Sequence, residues 1–306
     1  MSRLLVVGAG PIGAAATSAA LDDGVVAAVA GVVDPDGAAR IRLGEMYDAP
    51  MYASTVEVPP AKEGDRALVA ISPKVEVVAP EILRLLSLGY DVVSTCEELA
   101  WPPRHMWNAL HTAARSHRRV IVMTGVNPGF VMDRLPLLAT SACRNVKSVT
   151  VSRRIDSSAR RESYIAKTGR GLTAAEWDAA VAAGTVGHRG LVPSARLLAH
   201  SLSWPNRDVT ETLDAIEHGD LVSGFRQHVT LRAGERTIDL DFVVDWGLPE
   251  PGDRIVVDGD PPLHLEVPGG YHGDLGASAQ IVMALRRCTE LEPSFYRPTD
   301  LPLRFG

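Results

Sequence analysis

The chain has 306 residues, 46% of them hydrophobic, which is enough for two domains with substantial cores and gives no sign of a disordered class. A formal charge of −6 argues against a nucleic-acid surface as its main business and favours a small polar or neutral substrate. No uninterrupted apolar run approaches the roughly 20 residues that span a bilayer, and Cys96, Cys143 and Cys288 are too few and scattered for a disulfide framework or a zinc knuckle.

The N-terminus leads straight into an apolar run, Leu4 to Val7, so a cytoplasmic protein with reduced thiols and no membrane partner is expected. That run enters Gly8-Ala9-Gly10-Pro11-Ile12-Gly13 ahead of an alanine-rich stretch, which sets a glycine fingerprint between a strand and a helix. Gly8 permits the tight turn, Gly10 lets backbone approach a pyrophosphate, and Gly13 lets helix and strand pack closely. Pro11 suits the first helical turn, and the free N–H groups of that turn would hold the diphosphate. A second strand, Val25 to Val33, ends at Asp34, about twenty residues beyond the glycines, where a carboxylate can accept from both ribose hydroxyls. Asp34 repels a 2′-phosphate, so NAD(H) is favoured and NADP(H) stays open. The same letters, Asp34-Pro35-Asp36-Gly37, also spell a turn. Ser72, Thr95, Cys96 and Asn127 complete the candidate cofactor contacts.

Further apolar runs at 67–71, 90–94 and 119–123 alternate with helical stretches, the pattern of a parallel sheet covered on both faces. After Gly125-Val126-Asn127-Pro128-Gly129 the period changes to alternation: Val146 to Ile155, Leu221 to Leu231, Ile238 to Val244, Arg254 to Val257 and His264 to Val267 read as strands of a sheet with one wet face. Thr173 with Glu176 spells a capping box for an inserted helix, and a final helix is expected over Ala277 to Cys288. The fold class is α/β: a Rossmann-type parallel sheet domain over 1–130, then an α+β substrate and dimerisation domain over 131–270 with a mixed or antiparallel sheet. Residues 271–306 form a helix and tail returning to the first domain. A ligand crevice is expected at the carboxyl ends of the parallel strands.

Asp91-Val92-Val93-Ser94-Thr95-Cys96-Glu97-Glu98 puts two carboxylates and a thiol just past such a strand end. A partly desolvated glutamate there can take and return protons near neutral pH. The pairs Ser94 with Glu97, or Thr95 with Glu98, equally spell a capping box. Cys96 offers a rival chemistry, attack on an aldehyde before hydride leaves to NAD, as in an aldehyde dehydrogenase. A non-catalytic NAD(H)-binding protein is a third reading. His105, His111 and His117 recur every six residues, which scatters them around a helix, and no metal is expected.

The string Val92 to Pro102 resembles the 2,4-diaminopentanoate dehydrogenase and native amine dehydrogenase group of the dihydrodipicolinate reductase-like proteins. The similarity recurs in Gly125 to Asp133, in Arg153-Arg154-Ile155-Asp156 with Arg160-Arg161, and in Gly273-Asp274. It implies NAD(P)H-dependent reductive amination of a small aldehyde or ketone with ammonia, the reverse oxidative deamination, and a homodimer. Oxidation of a diamine, as in 2,4-diaminopentanoate dehydrogenase, is the alternative within the group. The family's acid/base glutamate maps onto Glu97 or Glu98, with Glu97 favoured. Trp101, Phe130, Tyr164 and His272 are candidates for the substrate pocket, as Trp204 and Tyr271 are for its apolar lining, with plain core or interface packing the competing reading of each aromatic. His272 has a competing role as a helix entry, and the arginine pairs read equally as a solvated face. The His-His-x-x-Lys stretch of the reductase that names the larger group does not occur, and Pro293-Ser294-Phe295 stands where relatives carry a Pro-Gly-Leu-like turn.

Overall fold

A computed structural model describes residues 2–301. The chain forms two compact units: one takes the described residues up to Phe130 and from His272 onward, the other is Val131–Tyr271. Residues 302–306, the end of the expected returning segment, lie outside the described residues.

The first unit runs β1 (Arg3–Val7), α1 (Pro11–Asp22), β2 (Ala28–Val33), α2 (Gly37–Met46), β3 (Met51–Tyr52), β4 (Arg66–Val69), α3 (Val75–Ser87), β5 (Asp91–Ser94), α4 (Arg104–Ser116) and β6 (Ile121–Met123). In the second unit follow α5 (Arg134–Thr140), β7 (Arg144–Asp156), α6 (Glu162–Ile165), α7 (Ala174–Ala183), α8 (Leu191–Ser201), β8 (Asp208–His218), β9 (Leu221–Ala233), β10 (Arg236–Asp245), β11 (Gly252–Asp260) and β12 (Leu263–Pro268). The chain then returns to the first unit with α9 (Gly273–Arg287) and β13 (Phe295–Tyr296).

Seven parallel strands in the order β13-β6-β5-β4-β1-β2-β3 make the first sheet. Its strands are apolar on both faces because both are covered. Leu4, Val6, Val32, Leu68, Val93 and Val122 share a core with Ala16 and Ala20 of α1, Leu43 of α2 and Ile281 and Leu285 of α9. The alternate residues, Leu5, Val7, Ala67 and Val69, point to the opposite face. Strand β13 was not legible as a strand, since two residues hold no period.

The second sheet is mixed, in the order β12-β11-β7-β10-β9-β8, with β7 and β10 parallel and the other pairs antiparallel. Alternation sets its faces: Val149, Val151, Val229, Leu231, Ile238, Leu240, Ile255 and Val257 are buried, while Thr150, Ser152, His228, Asp239 and Asp241 stand on the other side. Helix α8 packs over β9 and β10, and α5 over β7 and β11. The capping box at Thr173 and Glu176 forms at the start of α7. Edge strand β8, Asp208–His218, shows no alternation in the sequence: its half-buried residues, Val209, Leu213, Ala215 and Ile216, are apolar but do not fall on every second position. Among the described residues no helix is long and apolar enough to cross a membrane.

One inward position on β7 carries a charge. Arg153 continues the Val149, Val151 alternation into the core, so a solvated face does not hold for it. Its guanidinium meets Asp253 on β11 at 3.3 Å and donates to the Tyr271 carbonyl at 2.6 Å, while Asp253 accepts from the Tyr271 N–H at 2.7 Å. The two side chains are 3% and 1% exposed. Burial raises the Asp253 carboxyl above its ordinary range, with Arg153 pulling the other way. Arg153→Met is therefore expected to cost about 3–5 kcal/mol, because it leaves a buried charge without its partner. An acid whose folded pKa is raised loses stability as pH climbs above its unfolded value, so this penalty should be smaller at pH 4 than at pH 7 in urea denaturation. A variant as stable as the wild type at pH 7 would refute the assignment.

Candidate active site on the parallel sheet

The carboxyl ends of β1, β2, β4, β5 and β6 lie along one edge of the first sheet, and the candidate residues of this unit follow them: Gly8 to Gly13, Asp34, Ser72, Thr95 to Glu98 and Asn127. This is the edge at which open α/β sheets bind ligands.

The glycine turn shows why each glycine is there. Gly8 has φ +103°, and a Cβ on it would sit 2.5 Å from the Ala70 carbonyl oxygen of the neighbouring chain segment. A Cβ on Gly13 would lie far inside contact distance of the Gly8 carbonyl oxygen. Gly10 is different: nothing lies within 4 Å of where its Cβ would be. Gly10 is also the N-cap of α1, with Pro11 next, no side-chain cap and no acidic residue in the first turn. The first turn of α1 thus has open space beside its N-cap and no side-chain cap on its N–H groups, the arrangement that receives an anion. The cradle therefore fits a diphosphate.

Asp34 closes the cradle from β2. Its carboxylate accepts from the Ala9 N–H at 2.7 Å and from the Asp36 N–H at 2.9 Å, and the Arg40 guanidinium donates to its carbonyl. The turn reading holds, since the carboxylate shapes its own turn, and the same side chain ties that turn to the glycine loop. Asp36 caps α2 through the Ala38 and Ala39 N–H groups. Ser72 Oγ accepts from the Lys74 N–H at 3.1 Å and so shapes the loop after β4. Asn127 precedes a cis Pro128 in the loop after β6.

After β5, Cys96 leads into a short 3-10 turn, Glu97–Ala100. The capping-box expectation fails here: Ser94 Oγ donates to the Val69 carbonyl at 3.1 Å and accepts the Cys96 N–H at 3.2 Å, and no side chain caps the turn. Glu98 serves another helix. Its carboxylate accepts from the Val75 N–H at 2.9 Å, in the first turn of α3, whose own N-cap Lys74 makes no side-chain bond. Glu97 and Glu98 are both half-buried.

Cys96 is 1% exposed and its thiol donates to the Pro73 carbonyl at 3.1 Å. Burial pushes the thiol up to about 12, which leaves almost no thiolate at neutral pH. Burial and this shift both speak against the nucleophile reading. Trp101 lies beneath the Arg297 guanidinium, 5.1 Å from its ring centroid, and Phe130 ends the first unit. His272 caps α9, its Nδ1 accepting from the Leu275 N–H at 3.2 Å, so the helix-entry role is realised. Tyr164 belongs to the second unit, on α6, with the Arg160 guanidinium 4.9 Å from its ring centroid. Tyr271 is held by Asp253 and Trp204 is buried in the same unit. Among the described residues no cluster of histidine, cysteine and carboxylate side chains is arranged to hold a metal ion. With Cys288 also buried, a thiol reagent should label Cys143 in the native protein and reach Cys96 and Cys288 only on unfolding. Fast native labelling of Cys96, read by mass spectrometry, would restore the nucleophile.

The 2,4-diaminopentanoate dehydrogenase C-terminal domain family matches residues 130–305. A 2,4-diaminopentanoate dehydrogenase from Acetoanaerobium sticklandii is 27% identical over 241 residues, 70% of this chain and 67% of that protein. An amine dehydrogenase structure from Mycobacterium smegmatis superposes with a TM-score of 0.83 at 16% identity, covering 99% of this chain and 97% of the other. GenD2 from gentamicin A biosynthesis, solved in complex with NAD, gives a TM-score of 0.58 at 18% identity over 88% of this chain and 73% of its own. At such identities the structural likenesses speak for the fold. The family match spans more than half of the chain and both sides of the Val131 boundary between units is covered by the relative and the fold, so this chain belongs to the 2,4-diaminopentanoate dehydrogenase C-terminal domain family and is an oxidoreductase of the dehydrogenase type.

Proposed function

We propose that the chain catalyses the NAD(H)-dependent reductive amination of a small aldehyde or ketone with ammonia, and the reverse oxidative deamination of the amine. The observation that carries this reading is the pairing, on one sheet edge, of an anion-ready glycine cradle with a turn that carries two glutamates just past the end of β5. The family resemblance maps the acid/base onto this pair, with Glu97 favoured, and Glu98 already accepts from the Val75 N–H at the start of α3. The relative named 2,4-diaminopentanoate dehydrogenase supports the substrate class.

Gly8, Gly10 and Gly13 with the first turn of α1 would hold the diphosphate, and Asp34 the adenosine ribose. When bound, the dinucleotide supplies the hydride donor or acceptor. Glu97 would bind ammonium, take its proton to release the nucleophilic amine, and later return a proton to the hydroxyl that leaves the carbinolamine carbon. Its negative charge would also stabilise the positive charge that develops as that hydroxyl departs. Asp34 supports NAD(H) over NADP(H), because a carboxylate fixed by two backbone N–H bonds meets a 2′-phosphate with repulsion.

Glu97→Gln should abolish amination while NADH still binds, read by fluorescence titration beside steady-state kinetics. Glu98→Gln should keep most of the turnover and instead lose about 1 kcal/mol of stability through the α3 cap. The reverse pattern would reassign the acid/base. Gly10→Ala meets no protein atom, so its melting temperature should stay near wild type while NADH binding weakens about tenfold, ~1.4 kcal/mol. Unchanged NADH affinity in that variant would remove the cradle from the nucleotide site.

A further inference from the structure

The turn that carries Glu97 is four residues long, and a 3-10 turn of that length has little stability of its own. What fixes it is found at its flanks. On the leading side, the Glu98 N–H donates to the Pro73 carbonyl at 3.2 Å and the Glu98 carboxylate is held by Val75. On the trailing side, the Trp101 N–H closes the turn on the Glu98 carbonyl at 3.2 Å, and the Trp101 ring meets a cation from the far end of the chain.

That cation is Arg297. Its guanidinium carbon lies 5.1 Å from the Trp101 ring centroid and 5.0 Å from that of Trp107 on α4, within the range of a cation–π contact for both. Asp300 fixes the plane of the guanidinium by a two-pronged pair, Nε at 2.9 Å and Nη2 at 3.0 Å, and accepts the Arg297 N–H as well. The side chain is only 12% exposed. The segment bearing it is itself pinned: Phe295 pairs with Ile121 at the sheet edge and packs its ring 4.6 Å from Trp107, and Ser294 Oγ meets His111 Nδ1 at 3.3 Å. Pro293-Ser294-Phe295, the stretch where the sequence departs from its relatives, is thus the root of a strap that ends on Trp101.

We infer that Arg297 is a positioning residue for the acid/base turn: through Trp101 it holds Glu97 in register at the strand end. A planar, permanently charged guanidinium suits this place because it can lie over two indoles and be forked by one carboxylate, which an ammonium cannot do. The inference rests on the reading of Glu97 as acid/base for its kinetic consequence, but not for its structural one.

The test combines amide hydrogen exchange with kinetics on Arg297→Ala, Arg297→Lys, Asp300→Asn and Glu97→Gln, using butanone with ammonium chloride and NADH as the probe. In Arg297→Ala, exchange should quicken at residues 97–101, and kcat should fall roughly ten- to a hundredfold with KM for NADH unchanged, as expected when a reacting group is misplaced by about an ångström. Arg297→Lys should recover part of both effects, and Asp300→Asn should show a milder form. Wild-type exchange at 97–101 in Arg297→Ala would overturn the inference, as would a loss of NADH affinity matching the loss of kcat, which would mark a general structural role. If Glu97→Gln keeps full turnover, or butanone is not turned over at all, the chemical reading falls. The exchange at 97–101 still decides whether Arg297 holds the turn.

Discussion

Where β1 gives way to α1 there is no room for a side chain. A methyl on Gly8 would press on the Ala70 carbonyl and one on Gly13 on the Gly8 carbonyl, so strand, turn and helix approach until backbone touches backbone. This closeness starts α1 at the sheet edge with no side chain capping its first turn, and it leaves Gly10 facing open space. Asp34 then ties the turn to β2 through Ala9. The rest of the edge is built around that cradle.

Three side chains with similar promise in the sequence have different employment. Glu98 spends its carboxylate on the start of α3, Cys96 is sealed under backbone with its thiol too weakly acidic to act, and Glu97 stands between them on the turn. The division follows from the geometry of a short turn, in which neighbouring residues point in directions roughly a third of a circle apart. A string of three reactive letters therefore need not be a cluster. Here it supplies one helix cap, one core residue and one acid/base candidate.

Features with a local period or a local backbone demand were legible in the sequence. The strands around Leu5, Leu68 and Val93 announce themselves by continuous apolar runs, the glycine turn by its spacing, and the second sheet by alternation through Val149, Val151 and Ile255. Contacts that depend on long sequence separation were not. The solvated-face reading of the arginine pairs fails for Arg153 because its partner Asp253 comes a hundred residues later. The fate of Glu98 depends on Val75, a residue with no reason of its own to seek a carboxylate. Arg297 and Asp300 show only as an exposed-looking pair until Trp101 and Trp107 are brought beneath the guanidinium. Strand β8 was hidden because its acidic residues, Asp208, Glu211, Asp214 and Glu217, recur at every third position, which breaks the strand period.

If amine chemistry is joined to the nucleotide cradle on one edge of the parallel sheet, as proposed, ammonia is a co-substrate. The most direct measurement is NADH oxidation by the purified protein across a panel of small ketones and aldehydes, each with and without ammonium, repeated with NADPH. Oxidation should require carbonyl and ammonium together and be faster with NADH than with NADPH. Equal rates without ammonium, or NADH that binds and is never oxidised with any pair, would contradict it.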